Sequence, residues 1–161
     1  MVVDPVAPVV AESARFFIDK TWFDENDLAF DDLLIERVCE ACRVRLDEEA
    51  EERFTHFDKK SGRMSFEMRK VRYGHNPIKV IREDCAKKKG YITPDMPTLE
   101  AIFRIYLANG NQPMPLEHVR EQLAEWCPGG GCQWLMLPIE TLERLVQNDA
   151  YYGLRRHDAA L

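Results

Sequence analysis

At 161 residues, with 45% hydrophobic and 31% charged residues, the chain can bury a real core of one compact domain or two small linked ones. No apolar run reaches the roughly 18 residues of a membrane span, and the start, Met1 to Val10, has no basic n-region and is broken by Pro5 and Pro8. No secretory leader is expected there, and the expectation is a cytoplasmic protein with reduced thiols, a setting in which five cysteines do not read as a disulfide framework.

The net charge of −6 conceals a division. From Arg53 to Ile92 there are 12 Lys and Arg against 4 Asp and Glu, a balance of +8. The rest carries 10 basic and 24 acidic residues, a balance of −14. A basic stretch therefore sits between acidic flanks.

In chain order, residues 1–38 read as an N-terminal arm and helix. Met1 to Val10 is expected to be mobile, and Ala11 to Lys20 is short and amphipathic. Trp22, Phe23, Leu28 and Phe30 lie among Asp24, Glu25, Asp27, Asp31 and Asp32. Large aromatics are usually core residues, so a loop plugging the core is favoured over an acidic docking segment. Leu33, Leu34, Arg37, Val38 and Ala41 fit a helical period that Asp31 or Asp32 can cap.

Residues 39–92 form the basic module. Cys39-Glu-Ala-Cys42 is a C-x2-C pair at a helix end or knuckle. Asp47 to Arg53 predicts a solvated acidic helix. Phe54 and His56, a Lys60-Ser61-Gly62 turn, and the alternating Met64, Phe66 and Met68 predict a hairpin. After a second turn at Gly74-His75-Asn76-Pro77, the residues Ile78, Val80 and Ile81 suggest a third strand. Cys85 to Lys89 predicts a short helix stopped by Gly90.

Thr93-Pro94-Asp95-Met96-Pro97 reads as a linker. Residues 98–157 then predict three helices. The first carries Leu99, Ile102, Phe103 and Tyr106, the second Leu116, Val119, Leu123 and Trp126, and the third Ile139, Leu142, Leu145 and Val146. Tyr151 to Leu154 reads as extended. The fold class is α+β and helix-rich.

Cys39, Cys42 and Cys85 are the candidate metal ligands. A thiolate pair at this spacing bites one Zn²⁺ from a tight turn, and a structural zinc site takes four Cys or His ligands in a tetrahedron. His75 is the favoured fourth ligand and His56 the next choice. Three inert cysteines packed as small apolar groups are the competing reading. The order of knuckle, hairpin, strand and Cys-led helix over residues 39 to 90 resembles a treble-clef or zinc-ribbon module. It departs from that pattern where a second ligand pair is usual, because Arg82 and Lys88 stand three before and three after Cys85. Cys127 and Cys132 flank Pro-Gly-Gly-Gly and predict free thiols or a redox-labile pair, in place of a structural disulfide, on an exposed loop. Gln133-Trp134 follows where a phosphate loop needs Lys and Ser or Thr.

Lysines and arginines interleave with Phe54, Phe57, Phe66, Tyr73 and Tyr91, the composition of a surface that neutralises phosphates and stacks bases. Lys70, Arg72, Lys87, Lys88 and Lys89 are the candidate contacts to DNA or RNA. The chain's own acidic flanks or an acidic protein partner are the other counter-charges available. The last third resembles a winged-helix domain in pattern. That resemblance implies a recognition role for the third helix, whose Glu140, Glu143 and Arg144 suit a major groove poorly.

No nucleophile elbow, H-E-x-x-H or glycine-rich dinucleotide fingerprint is present. Cys85 and His75 could in principle pair as nucleophile and base, but structural ligation accounts for the same residues. The expectation is a non-enzymatic, zinc-stabilised, nucleic-acid-associated protein, a transcription-related accessory factor. The alternative is an adaptor or small subunit that docks on a larger assembly through its N-terminus and C-terminal helices.

Overall fold

The computed structural model describes residues 13–158; the expected arm at Met1 to Val10 lies outside them. Helices and strands are mixed, with two small antiparallel sheets, in keeping with an α+β class.

The first sheet is built by alternation. In β1 (Arg15–Ile18), Phe16 and Ile18 point inward and are fully buried. β1 lies between β4 (Met114–Pro115) and β5 (Leu154–Arg156), with Phe16 opposite Met114 and Ile18 opposite Leu154. Asn111 supplies a further rung, its side chain accepting from Ile18 N and donating to Ile18 O, both at 2.8 Å. It does so from a left-handed backbone, φ 61°, which asparagine tolerates better than most residues. Gly153, at φ 68°, is obligatory: a Cβ there would lie 2.6 Å from the Phe23 ring.

The short helices α1 (Lys20–Glu25) and α2 (Phe30–Ile35) follow β1. Asp19 caps α1 by accepting from Thr21 N. Phe23 and Leu34 are buried and Trp22 packs against the core, so the aromatic cluster plugs the interior.

The centre of the core is α5 (Thr98–Ala108), in which Ala101, Ile102, Phe103, Ile105, Tyr106 and Leu107 are all buried. A helix apolar this far round must be covered on several sides. α6 (Leu116–Glu125) contributes Val119 and Leu123, α8 (Ile139–Gln147) contributes Leu142 and Val146, and α4 (Pro77–Glu83) contributes Val80 and Ile81. One apolar cluster thus runs from β1 through α4, Tyr91 and Ile92 to the C-terminal helices. Arg37, after α2, is joined to Glu100 on α5 by two hydrogen bonds of 2.8 Å and lies over the Phe103 ring.

The second sheet is a ribbon of β2 (Glu49–Phe57) and β3 (Met64–Arg72) in nine rungs. The predicted hairpin is present, with Gly62 at φ 69° in its turn. Its first strand begins earlier than expected. Helix-forming Glu49 to Arg53 is extended because it pairs with Met68 to Arg72 in the ladder, where tertiary pairing overrides local propensity.

The predicted third strand is instead α4. Pro77 stands at its first turn, and Pro77, Val80 and Ile81 recur at helical spacing on the buried side. Cys85 to Lys87 forms a single 3-10 turn in place of a short α-helix. Cys127 and Cys132 are disulfide-bonded and buried, not exposed thiols. The loop they close leads into α7 (Gln133–Met136), which sets Trp134 fully inside the core.

Candidate metal centre

The knuckle begins with Cys39, whose extended backbone (φ −64°, ψ 157°) caps the single turn α3 (Glu40–Arg43). C-x2-C spacing returns the second cysteine above the first: Cys42 N donates to Cys39 O at 3.1 Å. Arg43 fastens the turn from outside, donating to the carbonyls of Glu36 and Val38.

Cys85 arrives from 46 residues away, at the end of α4. Cys39 N donates to its sulfur at 3.3 Å, and the Cys39 and Cys85 sulfurs are 3.4 Å apart. All three sulfurs lie within 4.8 Å of one another. Cys42 and Cys85 are buried, and Cys39 is partly exposed. Three close thiols from two separate segments form a donor set that can hold a metal ion.

The chain entering the ribbon is zipped to the chain leaving it. Tyr73 N donates to Glu48 O at 2.7 Å and Gly74 N to Leu46 O at 2.8 Å. Gly74 packs so closely that a Cβ would lie 2.9 Å from both the side chain and the carbonyl of Leu46. A metal on the three sulfurs would clip the same two segments one step further from the ribbon.

The local charge differs at each sulfur. Burial works against the Cys39 thiolate, but the Lys88 ammonium at 3.0 Å and hydrogen bonds from Cys42 outweigh it and bring the thiol down to about 7. Burial pushes Cys85 up to about 12. Lys88 also reaches Cys42, at 3.6 Å, and its own pKa is raised, chiefly by the hydrogen bond to Cys39. Tyr73 donates to Asp84 and lies 3.7 Å from the Cys42 sulfur; burial first, then Asp84, holds its hydroxyl protonated.

His75 is placed elsewhere. Its Nε2 is 2.6 Å from Glu52 Oε2, and Lys79 Nζ is 2.8 Å from the other oxygen of the same carboxylate. Lys79 first, then His75, holds the Glu52 carboxyl below its usual range. His56 lies on the exposed ribbon opposite Ser65. Among the described residues, the group of metal-ligating side chains at this site comprises the three cysteines alone. Sequence reasoning missed Lys88 as the neighbour of the thiols and Glu52 as the neighbour of His75. The signal for Lys88 was its position three residues after Cys85, where a zinc ribbon would carry another ligand.

Of the candidate nucleic-acid contacts, Lys70, Arg72, Lys87, Lys88 and Lys89 are all exposed. Arg72 approaches Asp47 at 3.4 Å, and Lys88 is turned to the thiols. The outer ribbon adds Arg53, Lys59, Lys60, Arg63 and Arg69, also exposed. Directly opposed residues share a face, so Arg53, Thr55, Phe57, Met64, Phe66 and Met68 line one side of the ribbon. On that side Phe57, Met64, Phe66 and Met68 are each more than half exposed.

Compared with family models, curated proteins and solved structures, the chain matches none of them, so its site is read from its own residues alone.

Proposed function

We propose that the chain is a non-enzymatic, nucleic-acid-associated protein in which a zinc ion on Cys39, Cys42 and Cys85 stiffens the root of a basic ribbon, and that it serves as a transcription-related accessory factor. The outer ribbon carries the reading. Exposed Arg53, Lys59, Lys60, Arg63 and Arg69 interleave with Phe54, Phe57 and Phe66. Cations of this kind neutralise phosphates, aromatic faces stack on bases, and a two-stranded ribbon is narrow enough for a major groove. Lys89 lines the cleft with Cys39 and Cys85, and Lys87 is also exposed. The order α5, β4, α6, α7, α8, β5 supports a winged-helix-like reading of the C-terminal part, with the short α7 as an addition and Arg155 and Arg156 on its last strand. Among the described residues no helix is long and apolar enough to cross a membrane.

The test is a salt titration of binding to single- and double-stranded DNA and to RNA. Affinity should fall steeply with salt. Replacing Lys59, Lys60 and Arg63 with Ala should flatten the log–log slope by about 0.7 to 0.9 for each phosphate no longer neutralised. Absence of binding at low salt would overturn the reading. The adaptor reading would then lead, since Phe57, Met64, Phe66 and Met68 on one exposed face also suit a protein partner.

A further inference from the structure

We infer that the three-thiolate site keeps its fourth coordination position open and fills it with a small oxyanion from solution. This rests on the metal reading and adds to it a ligand class.

The donor count comes first. A tetrahedral ion needs four ligands, and among the described residues the grouped ligating atoms are three sulfurs. The histidine that would complete the set is engaged by Glu52. Lys88 Nζ, held by Cys39 and Cys42, occupies the space beside the sulfurs. A protonated amine has no lone pair to give a metal.

Access comes second. Cys39 and Cys85 line an open cleft with Lys88, Lys89, Gly90 and Arg104. The partly exposed Cys39 therefore borders a space that a small molecule can enter, with the buried Cys85 behind it.

Charge comes third. Loading a divalent ion onto three thiols releases three protons to solvent and leaves a centre of net charge −1. A monoanionic fourth ligand brings this to −2. Lys88 and Lys89, both exposed at the cleft, carry the compensating +2. A metal on the three sulfurs would take the place of the Lys88 ammonium, which now sits 3.0 Å from the Cys39 sulfur and would remain beside the anion. The cleft also holds Glu36, 3.9 Å from Arg37; Arg37 and Arg104 are both committed to Glu100, so the two lysines are the cations available to an anion.

Cobalt(II) titrated into the metal-free, full-length protein, with inorganic phosphate and acetate as the anions, provides the test. Sulfur-to-cobalt charge-transfer absorption scaled to three thiolates reports the metal. The visible ligand-field bands report the fourth ligand. Saturable movement of those bands with phosphate or acetate, about tenfold weaker in Lys88→Met with cobalt affinity retained, is the expected result. His75→Ala should leave the bands unchanged. Absence of charge-transfer absorption would overturn the metal reading itself. Absorption present but indifferent to either anion would overturn only the open position. Altered ligand-field bands in anion-free Lys88→Met, or in His75→Ala, would assign the fourth ligand to that side chain and equally overturn it. Because Lys88 is exposed, its replacement should not unfold the chain; Lys89→Met, further from the sulfurs, supplies a second variant with a smaller expected effect on anion affinity.

Discussion

The helical body and the ribbon are built on opposite terms. In the body, α5 buries six of its eleven residues and is covered by α4, α6 and the β1 sheet. In the ribbon, eighteen residues make nine rungs, and none of them is fully buried. A two-stranded ribbon alone is marginally stable in water. This one is held at its root by the Tyr73 and Gly74 hydrogen bonds and along its length by cross-strand pairs, including Arg53 over Phe66 and Arg69 over Phe54. The difference separates residues that maintain the fold from residues free to meet something else. An exposed apolar face on a protruding ribbon costs solubility, and a body with a filled core does not need it for stability.

The sharpest way to break this comparison is to remove one side chain from the body. Ile102 is completely buried on α5. Ile102→Ala should cost about 2–5 kcal/mol through reduced burial and the cavity left behind. Denaturant unfolding followed by far-ultraviolet circular dichroism measures it. A cost under about 1 kcal/mol would mean that α5 is not the centre of the core.

A second measurement sharpens the electrostatic part. Burial opposes the charged form of Glu100, yet the Arg37 hydrogen bonds and charge hold its carboxyl below the usual value of 4.5. A carboxyl whose pKa is lowered on folding contributes stability above its unfolded pKa, and that contribution is lost as pH falls through the folded value. Stability of the wild-type chain should therefore decline as pH drops below about 4.5. Glu100→Gln should remove that part of the acid dependence. At neutral pH it should cost about 1.5–3 kcal/mol, because Arg37 loses its charged hydrogen-bond partner in a mostly buried place. An unchanged acid limb in the variant would show that the pair does not titrate with folding.

The body was the more legible part of the sequence. Its helices repeat apolar residues at 3, 4 and 7, a signal that packing reinforces, as in Leu116, Val119 and Leu123. Gly62 and the alternation of Met64, Phe66 and Met68 likewise marked the ribbon's turn and second strand. Glu49 to Arg53 was hidden because its partners, Met68 to Arg72, lie on the far side of the turn, and the ladder they form together sets its conformation. Ile78, Val80 and Ile81 misled in the other direction. β-branched residues suggested a strand, while Pro77 and the burial of Val80 and Ile81 against α5 made a helix. The thiols were legible as a set, because C-x2-C and a later cysteine are local facts. Their fourth neighbour was not, because Lys88 is no metal ligand by residue type and only geometry brings it to Cys39. The Cys127–Cys132 disulfide was misjudged for a related reason. The glycines are exposed as expected, but both cysteines at the loop's ends are buried in the apolar cluster that Trp134 enters.

The smallest expected effect on stability belongs to Phe66, and its smallness is informative. Phe66 is more than half exposed on the outer ribbon, and its ring lies 3.6 Å from the Arg53 guanidinium carbon. An exposed cation–π pair contributes about 0.5–1 kcal/mol. Because the ring is already largely in water, Phe66→Ser removes little burial. Global stability should therefore fall by less than about 1 kcal/mol, well short of Ile102→Ala. Binding should respond the other way round. If the ribbon stacks on bases, removing the ring should cost about 1–3 kcal/mol of nucleic-acid affinity with the salt slope unchanged, since every phosphate keeps its cation. Pairing the two measurements on one variant separates the roles. A large loss of stability would make the ribbon part of the fold's support and dissolve the contrast with the body. A small loss of stability with unaltered nucleic-acid affinity would leave the lysines and arginines to bind alone, and would turn the apolar face toward a protein partner instead.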